Sequence, residues 1–343
     1  MSPVSRKKKK RCFFLFMVFI SCFAACQPKS GIGSEQPSIG VAIYKFDDTF
    51  MSYFRDAIQL NASGRALLEV VDSQNAQFIQ DDQVNTFLSR NFKAIAINPV
   101  DRTAAGVIVQ RAQSKNVPVV FFNREPLPED MAMWDKVYYV GAKAEESGFM
   151  QGEIAYDYLQ AASGWDKNGD GILQYIMLMG EPFHQDTEQR TLYSIKFLTD
   201  RGIKVQELAR DTAMWDRPRA VEKMNTFLET FGDRIEMVFC NNDDMALGVI
   251  ESLKNAGYFQ DGRYIPVLGV DATVPALQAL EEGTLLGTVL NDADNQGKAT
   301  FDMVFALATG RNPANAGWTI TDDKYIWVPY QKVTRDNFRQ FWK

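Results

Sequence analysis

From residue 38 onward, short apolar runs alternate with amphipathic stretches. "SIGVAIYKF" precedes "DTFMSYFRDAIQLNA", "ALLEVVDSQ" precedes "DDQVNTFLSRNF", and "KAIAINPVD" precedes "TAAGVIVQRAQSKN". "VPVVFFNREP" then leads through a loop to "KVYYVGA". The second half repeats the scheme with "ILQYIMLMGEP", "IKVQELAR", "IEMVFCNND", "IPVLGVDA" and "LLGTVLNDA". Continuous runs of β-branched and aromatic residues, rather than strict alternation, predict strands buried on both faces of parallel sheets. Strand–helix alternation predicts βαβ units with right-handed crossovers. About ten such strands are too many for one comfortable sheet. The pattern therefore predicts an α/β protein of two similar, doubly wound parallel-sheet lobes.

The candidate chemistry sits at the end of each apolar run. "YKFDDTF", "FFNREP", "GEPFHQD", "FCNNDD", "GVDAT" and "VLNDADN" all place Asp, Asn, Glu or His at a strand's carboxyl end. Open α/β sheets bind ligands outside those ends. Two lobes whose strand ends face one another would enclose a cleft lined by carboxylates and amides. No Walker sequence and no G-x-G-x-x-G opening a helix is present, so a phosphate cradle is not expected. Such a cleft suits a neutral ligand rich in hydroxyls, because ionised Asp accepts hydrogen bonds and Asn both donates and accepts.

Charge and the N-terminus set the compartment. Six basic residues, Arg6 to Arg11, precede an apolar run from Cys12 to Ala25, short for a bilayer span and built like a signal peptide. Small residues lead into Cys26, as in a bacterial lipoprotein signal, although Phe23 departs from the aliphatic residue usual there. The expectation is a signal peptide over 1–25, lipidation at Cys26, a polar tether over 26–38, and a periplasmic, membrane-anchored body. The alternative is an uncleaved anchor. Losing residues 1–25 removes six positive charges and no negative ones, taking the formal charge from −6 to −12. A surface that acidic argues against nucleic acid or anionic lipid as a partner. Cys240 is left alone in an apolar run and reads as a buried strand residue.

One local motif points to a metal. "WDKNGDGILQ" sets Asp166, Asn168, Asp170, Gly171 and Gln174 at the spacing of an EF-hand loop, with the Ile172 carbonyl at the seventh position. The twelfth position is Met177 rather than a bidentate Glu, and the loop runs into a strand. A true EF-hand pair is not expected, and the alternative is an Asx-rich turn. A bound ion would be structural.

Taken in order, "IYKFDDTFMS", "VPVVFFNREP", "GWDKNGDG", "DTAMWD", "NND" and "GTVLNDADNQGKATFD" resemble the galactose/glucose-binding branch of the type I periplasmic binding proteins. The likeness runs from about Ile39 to Phe341. It implies two lobes, 39–141 with 293–328 and 142–292 with 329–343, joined by three crossings. It implies a sugar site of Asp48, Phe50, Asn123, His184, Asp186, Arg190, Trp215, Asn242, Asp271 and Asn291. Phe50 and Trp215 would sandwich the ring, and Asp48 would meet the 4-hydroxyl at which glucose and galactose differ. It also implies a calcium site of Asp166, Asn168, Asp170, the Ile172 carbonyl, Gln174 and a distant Glu236. The implied function is a monomeric receptor, not an enzyme, that closes over D-glucose or D-galactose and delivers it to an ABC permease. A chemoreceptor is left open as a second partner, and the lipid anchor is the only contact expected with membrane. Two alternatives stand beside it. One is a glycoside-processing enzyme using two cleft carboxylates. The other is the effector domain of a sugar-responsive repressor, which would need a helix-turn-helix where this chain carries a signal and tether.

Overall fold

A computed structural model describes residues 36–342 of the protein. The expected signal peptide, Cys26 and most of the tether lie outside the described residues. Strands and helices alternate as β1 (Ser38–Ile43), α1 (Thr49–Ala62), β2 (Leu67–Asp72), α2 (Gln77–Ser89), β3 (Ala94–Ile97), α3 (Ala105–Ser114), β4 (Val119–Phe122), α4 (Pro128–Ala132) and β5 (Val137–Gly141). The scheme repeats with α5 (Ala144–Ala161), β6 (Ile172–Met179), α6 (Gln185–Asp200), β7 (Lys204–Thr212), α7 (Arg217–Phe231), β8 (Met237–Cys240), α8 (Asp243–Asn255), β9 (Val267–Leu268), α9 (Val274–Glu282) and β10 (Gly287–Leu290). The chain finishes with α10 (Ala293–Ala308), β11 (Tyr325–Trp327) and β12 (Gln331–Thr334).

Two six-stranded sheets result, ordered β11-β5-β4-β3-β1-β2 and β12-β10-β9-β8-β6-β7. Each reverses its winding beside its first strand, between β1 and β3 and between β6 and β8. A crevice forms at such a switch point, outside the strands' carboxyl ends. Pairing is parallel throughout except at β12, which runs antiparallel to β10. The chain passes from the first sheet to the second after β5, returns after β10 to α10, which packs on α1, and leaves again between β11 and β12.

Burial explains the elements. β1, β3, β4, β5 and β8 carry almost wholly buried apolar residues, covered by helices on both faces, so each sheet is sealed by two apolar layers. Cys240 lies in one of these layers. β2 and β7 differ: both are edge strands, part-exposed, and β7 accordingly reads "KVQELARDT". Two short edge strands, β11 and β12, add to the ten expected. Each spans only three or four residues around Pro329, too few for a periodic signature. Helix packing is close where α10 crosses α1: a Cβ at Gly297 would lie 2.7 Å from the Ala57 methyl and 3.0 Å from the Phe54 carbonyl oxygen.

Candidate functional site

The carboxyl ends of the two sheets face each other across one cavity. Its wall holds Asp48, Phe50, Asn123, His184, Asp186, Arg190, Trp215, Asn242, Asp271 and Asn291, all ten residues expected to meet a sugar. Tyr44, Met51 and Arg124 line it as well and were not expected. Tyr44 reads as the last residue of an apolar strand and Arg124 as loop. The available signal was adjacency, Arg124 next to Asn123 and Tyr44 four residues before Asp48.

Helix starts position most of the polar groups. Asp48 caps α1, accepting from the Met51 N–H at 2.9 Å, and its second oxygen accepts the Tyr44 hydroxyl. Asn242 caps α8 through the Met245 N–H at 3.0 Å, and its Nδ2 donates to the Trp215 carbonyl at 3.3 Å. His184 caps α6: its Nδ1 accepts the Asp186 N–H at 3.1 Å. A ring nitrogen that accepts carries no proton, so the neutral tautomer holds its hydrogen on Nε2. Burial, reinforced by Arg124, Arg190 and Arg102, pushes the His184 pKa well below its ordinary value, so the ring stays neutral and offers one N–H.

Charge is arranged in tied groups. Arg190 Nη2 donates to Asp186 Oδ2 at 2.7 Å and to the Tyr330 hydroxyl at 3.1 Å, while Nη1 donates to the Asn241 carbonyl at 2.8 Å. Burial opposes the Arg190 charge, but Tyr330, Asp186 and Asp271 outweigh it and hold its pKa above the usual value. Its buried Nε has no protein partner. Burial raises the Asp186 carboxyl, against the pull of Arg190, Arg124 and Arg102. Asp271 is raised well above the carboxylate range, first by burial and then, beyond the opposing pull of Arg190, by Asp243 and Asp48. One of its oxygens accepts from Asn291 Nδ2 at 3.3 Å.

Aromatic surface comes from both lobes, Phe50 from α1 and Trp215 from the turn before α7, each buried. Trp215 stands edge-on to His184, with ring centroids 5.2 Å apart. A Cβ at Gly180 would fall 2.1 Å from the Trp215 ring, so only glycine fits beneath it. Asn123, Trp215 and Asp271 hold positive φ angles of 59°, 64° and 124°. Left-handed backbone in non-glycine residues is costly and clusters where a site demands a particular orientation. The assembled wall offers acceptors, donors and two apolar faces, the complement of a pyranose ring with its polar rim and C–H faces.

The comparisons with known proteins agree with that chemistry. The family model described as a periplasmic binding protein domain matches residues 39–312. The chain is a type I periplasmic binding protein. Among curated proteins it is 42% identical over 308 residues to the D-galactose/methyl-galactoside binding periplasmic protein MglB of Haemophilus influenzae, covering 89% of this chain and 92% of that one. A putative rhizopine-binding protein of Rhizobium meliloti is 29% identical, with the same coverages. Among solved structures, an ABC transporter solute binding protein of Bacillus halodurans with bound myo-inositol superposes with a TM-score of 0.75 and 30% identity, covering 90% of this chain and 98% of that one. The coarse function follows: this periplasmic binding protein is a sugar-binding receptor of periplasmic ABC transport.

The metal-like loop lies between α5 and β6, on the second lobe. Gly169 and Gly171 are left-handed, with φ of 76° and 71°. Asp166 accepts the N–H groups of Gly169 and Gly171 at 2.7 and 2.8 Å, and Asp170 accepts that of Ile172 at 2.8 Å. Asn168 and Gln174 both turn an amide toward Asp170, at 3.0 and 2.9 Å. Glu236 docks on the loop from the start of β8, its oxygens accepting the Lys167 and Gln174 N–H groups at 2.7 and 2.9 Å. Burial raises the Glu236 carboxyl, partly offset by those bonds, and Asp166 raises it further. Among the described residues no three acidic, His or Cys side chains form a metal cage by themselves. The expected set is half neutral oxygens, an all-oxygen donor set that fits a hard cation.

Proposed function

We propose that this protein is a lipid-anchored receptor for D-glucose and D-galactose. The lobes close by a hinge motion favoured by ligand contacts on both sides. The observation that carries the reading is the convergence of all ten expected residues on one interlobe cavity, with an aromatic from each lobe. The similarity to a galactose-binding relative supports the ligand class. Phe50 and Trp215 take the two faces of the ring. His184 Nε2 and the free Arg190 Nε–H donate, and Asp186 and Asp271 accept. Asp48, at the 4-hydroxyl by resemblance, accepts from either epimer, so one site serves both sugars. Each carboxylate is a helix cap, an ion-pair partner or an amide partner, which suits fixed recognition better than proton transfer.

We further propose a calcium ion held by Asp166, Asn168, Asp170, the Ile172 carbonyl, Gln174 and Glu236. Glu236 would supply the carboxylate that the loop's own sequence lacks. When bound, the ion supplies charge that holds the loop to β8 and takes no part in sugar recognition. Delivery to an ABC permease follows from the family, and docking to a chemoreceptor is an additional proposal for the closed form.

Calorimetry on the mature protein tests the sugar reading. Both D-glucose and D-galactose should bind, and Trp215→Ala should weaken both by at least ~30-fold, or about 2 kcal/mol, as for a buried aromatic anchor. No heat with either sugar refutes the ligand class; near-native binding by Trp215→Ala refutes the sandwich.

A further inference from the structure

Glu181 comes just after β6 on the second lobe, yet its carboxylate is held entirely by the first. Oε2 accepts from Arg124 Nη2 at 2.7 Å, and Oε1 accepts from Asn75 Nδ2 at 3.2 Å. Asn75 comes from the loop after β2 and Arg124 from the loop after β4, so one side chain ties two segments of the opposite lobe. Both members of the ion pair are buried. Glu181 does not line the sugar cavity; it faces an adjoining interlobe cavity together with Arg102 and Phe183.

Arg124 is fixed by more than its ion pair. Nη1 donates to the Val100 carbonyl at 2.7 Å, and the guanidinium lies 3.8 Å over the Tyr44 ring. The Tyr44 hydroxyl donates to Asp48. A contiguous path therefore runs from Glu181 through Arg124 and Tyr44 to a carboxylate of the sugar site.

We propose that Glu181 is a closure residue, which sets the equilibrium between open and closed lobes without touching the sugar. With the lobes apart, Glu181 and Arg124 are each hydrated. Closing strips water from both charges, and only their pairing recovers that cost. The pair adds little net driving force, but losing one partner leaves the other buried and uncompensated. Closure becomes conditional on this one register of the lobes. Affinity falls in proportion to the closed fraction, because apparent dissociation constants scale inversely with the competent population. The path through Tyr44 keeps Asp48 in its accepting orientation as the lobes meet.

This inference rests on the sugar-receptor reading, and its test separates the two. Binding of D-glucose and D-galactose is measured for wild type, Glu181→Gln and Asn75→Ala, together with dissociation rates and the melting temperature of sugar-free protein. Glu181→Gln should weaken both sugars by the same factor, at least tenfold, through faster dissociation, while sugar-free melting is unchanged. Asn75→Ala, which removes the longer bond to Glu181 from an uncharged donor, should weaken both by a smaller common factor. Affinity within threefold of wild type for Glu181→Gln overturns the proposal. So does an unequal effect on the two sugars, which would mean direct contact, or a lowered sugar-free melting temperature, which would mean a structural role. A wild type that binds neither sugar refutes the parent reading instead.

Discussion

At the scale of single residues, the second lobe buries two acids, Asp243 and Asp271, and the charge of Asp243 helps to raise the Asp271 pKa. Asp243, at the start of α8, is fully buried and accepts the Thr273 N–H at 2.8 Å and the Thr288 hydroxyl at 2.7 Å. Burial pushes its pKa up to about 7 in spite of those bonds, and Asp244 adds to the rise. Folded Asp243 thus holds its proton more tightly than the unfolded carboxyl does. Between those two pKa values the folded state binds more protons, so acidification stabilises the fold through this group. From pH 8 to pH 5 the gain is roughly 2–3 kcal/mol. Asp243→Asn should therefore melt higher than wild type at pH 8, with the advantage clearly smaller at pH 5 and lost only below the unfolded carboxyl's pKa; an equal offset at pH 8 and pH 5 would contradict the assignment. Thr273 and Thr288 hydroxyls can turn to meet the amide, so the swap leaves the network intact. The polar residues that line the cavity were legible because polar groups directly after apolar runs stand out in the sequence. Tyr44, Arg124 and Glu181 were not. Their importance lies in contacts between distant segments, such as the 57 residues that separate Arg124 from Glu181, and local pattern cannot register those.

At the scale of elements, alternating strands and helices could be read from continuous apolar runs, and the doubly wound order arises from that alternation. β7 departs from the pattern because nothing pairs with its outer edge. β11 and β12 escaped notice because a strand of three residues has no period. The loop between α5 and β6 was legible as an oxygen-rich turn, but its partner Glu236 lies 62 residues beyond Gln174 and is brought to it by the fold. If that loop holds calcium, removing the ion leaves Asp166, Asp170 and Glu236 at one loop with Lys167 to offset part of their charge. Chelation should then lower the melting temperature by several degrees, as expected for a loss of about 1–2 kcal/mol in a protein of this size. Readdition of calcium should restore it, and sugar affinity should stay within a few-fold. A melting curve unchanged after verified metal removal would rule out the site.

At the scale of the whole molecule, the crossings between the sheets bring residues to the cavity and its supports. Asn291 lies at the second crossing, and Tyr330, at the third, accepts from Arg190. The last crossing also splits the chain's end between both sheets: β11 pairs with β5, and β12 with β10. Tyr139 of β5 packs edge-on against Tyr325 and Trp327, with centroids 6.0 and 5.4 Å away. Removing residues 325–343 should therefore expose an apolar edge on each sheet, and limited proteolysis should digest both lobes rapidly. A protease-resistant first lobe in that truncation would show it to be self-sufficient. Residues 325–334 thus complete both sheets. One short stretch of chain is the last piece of two separate sheets, so neither sheet can reach its final width independently of the other.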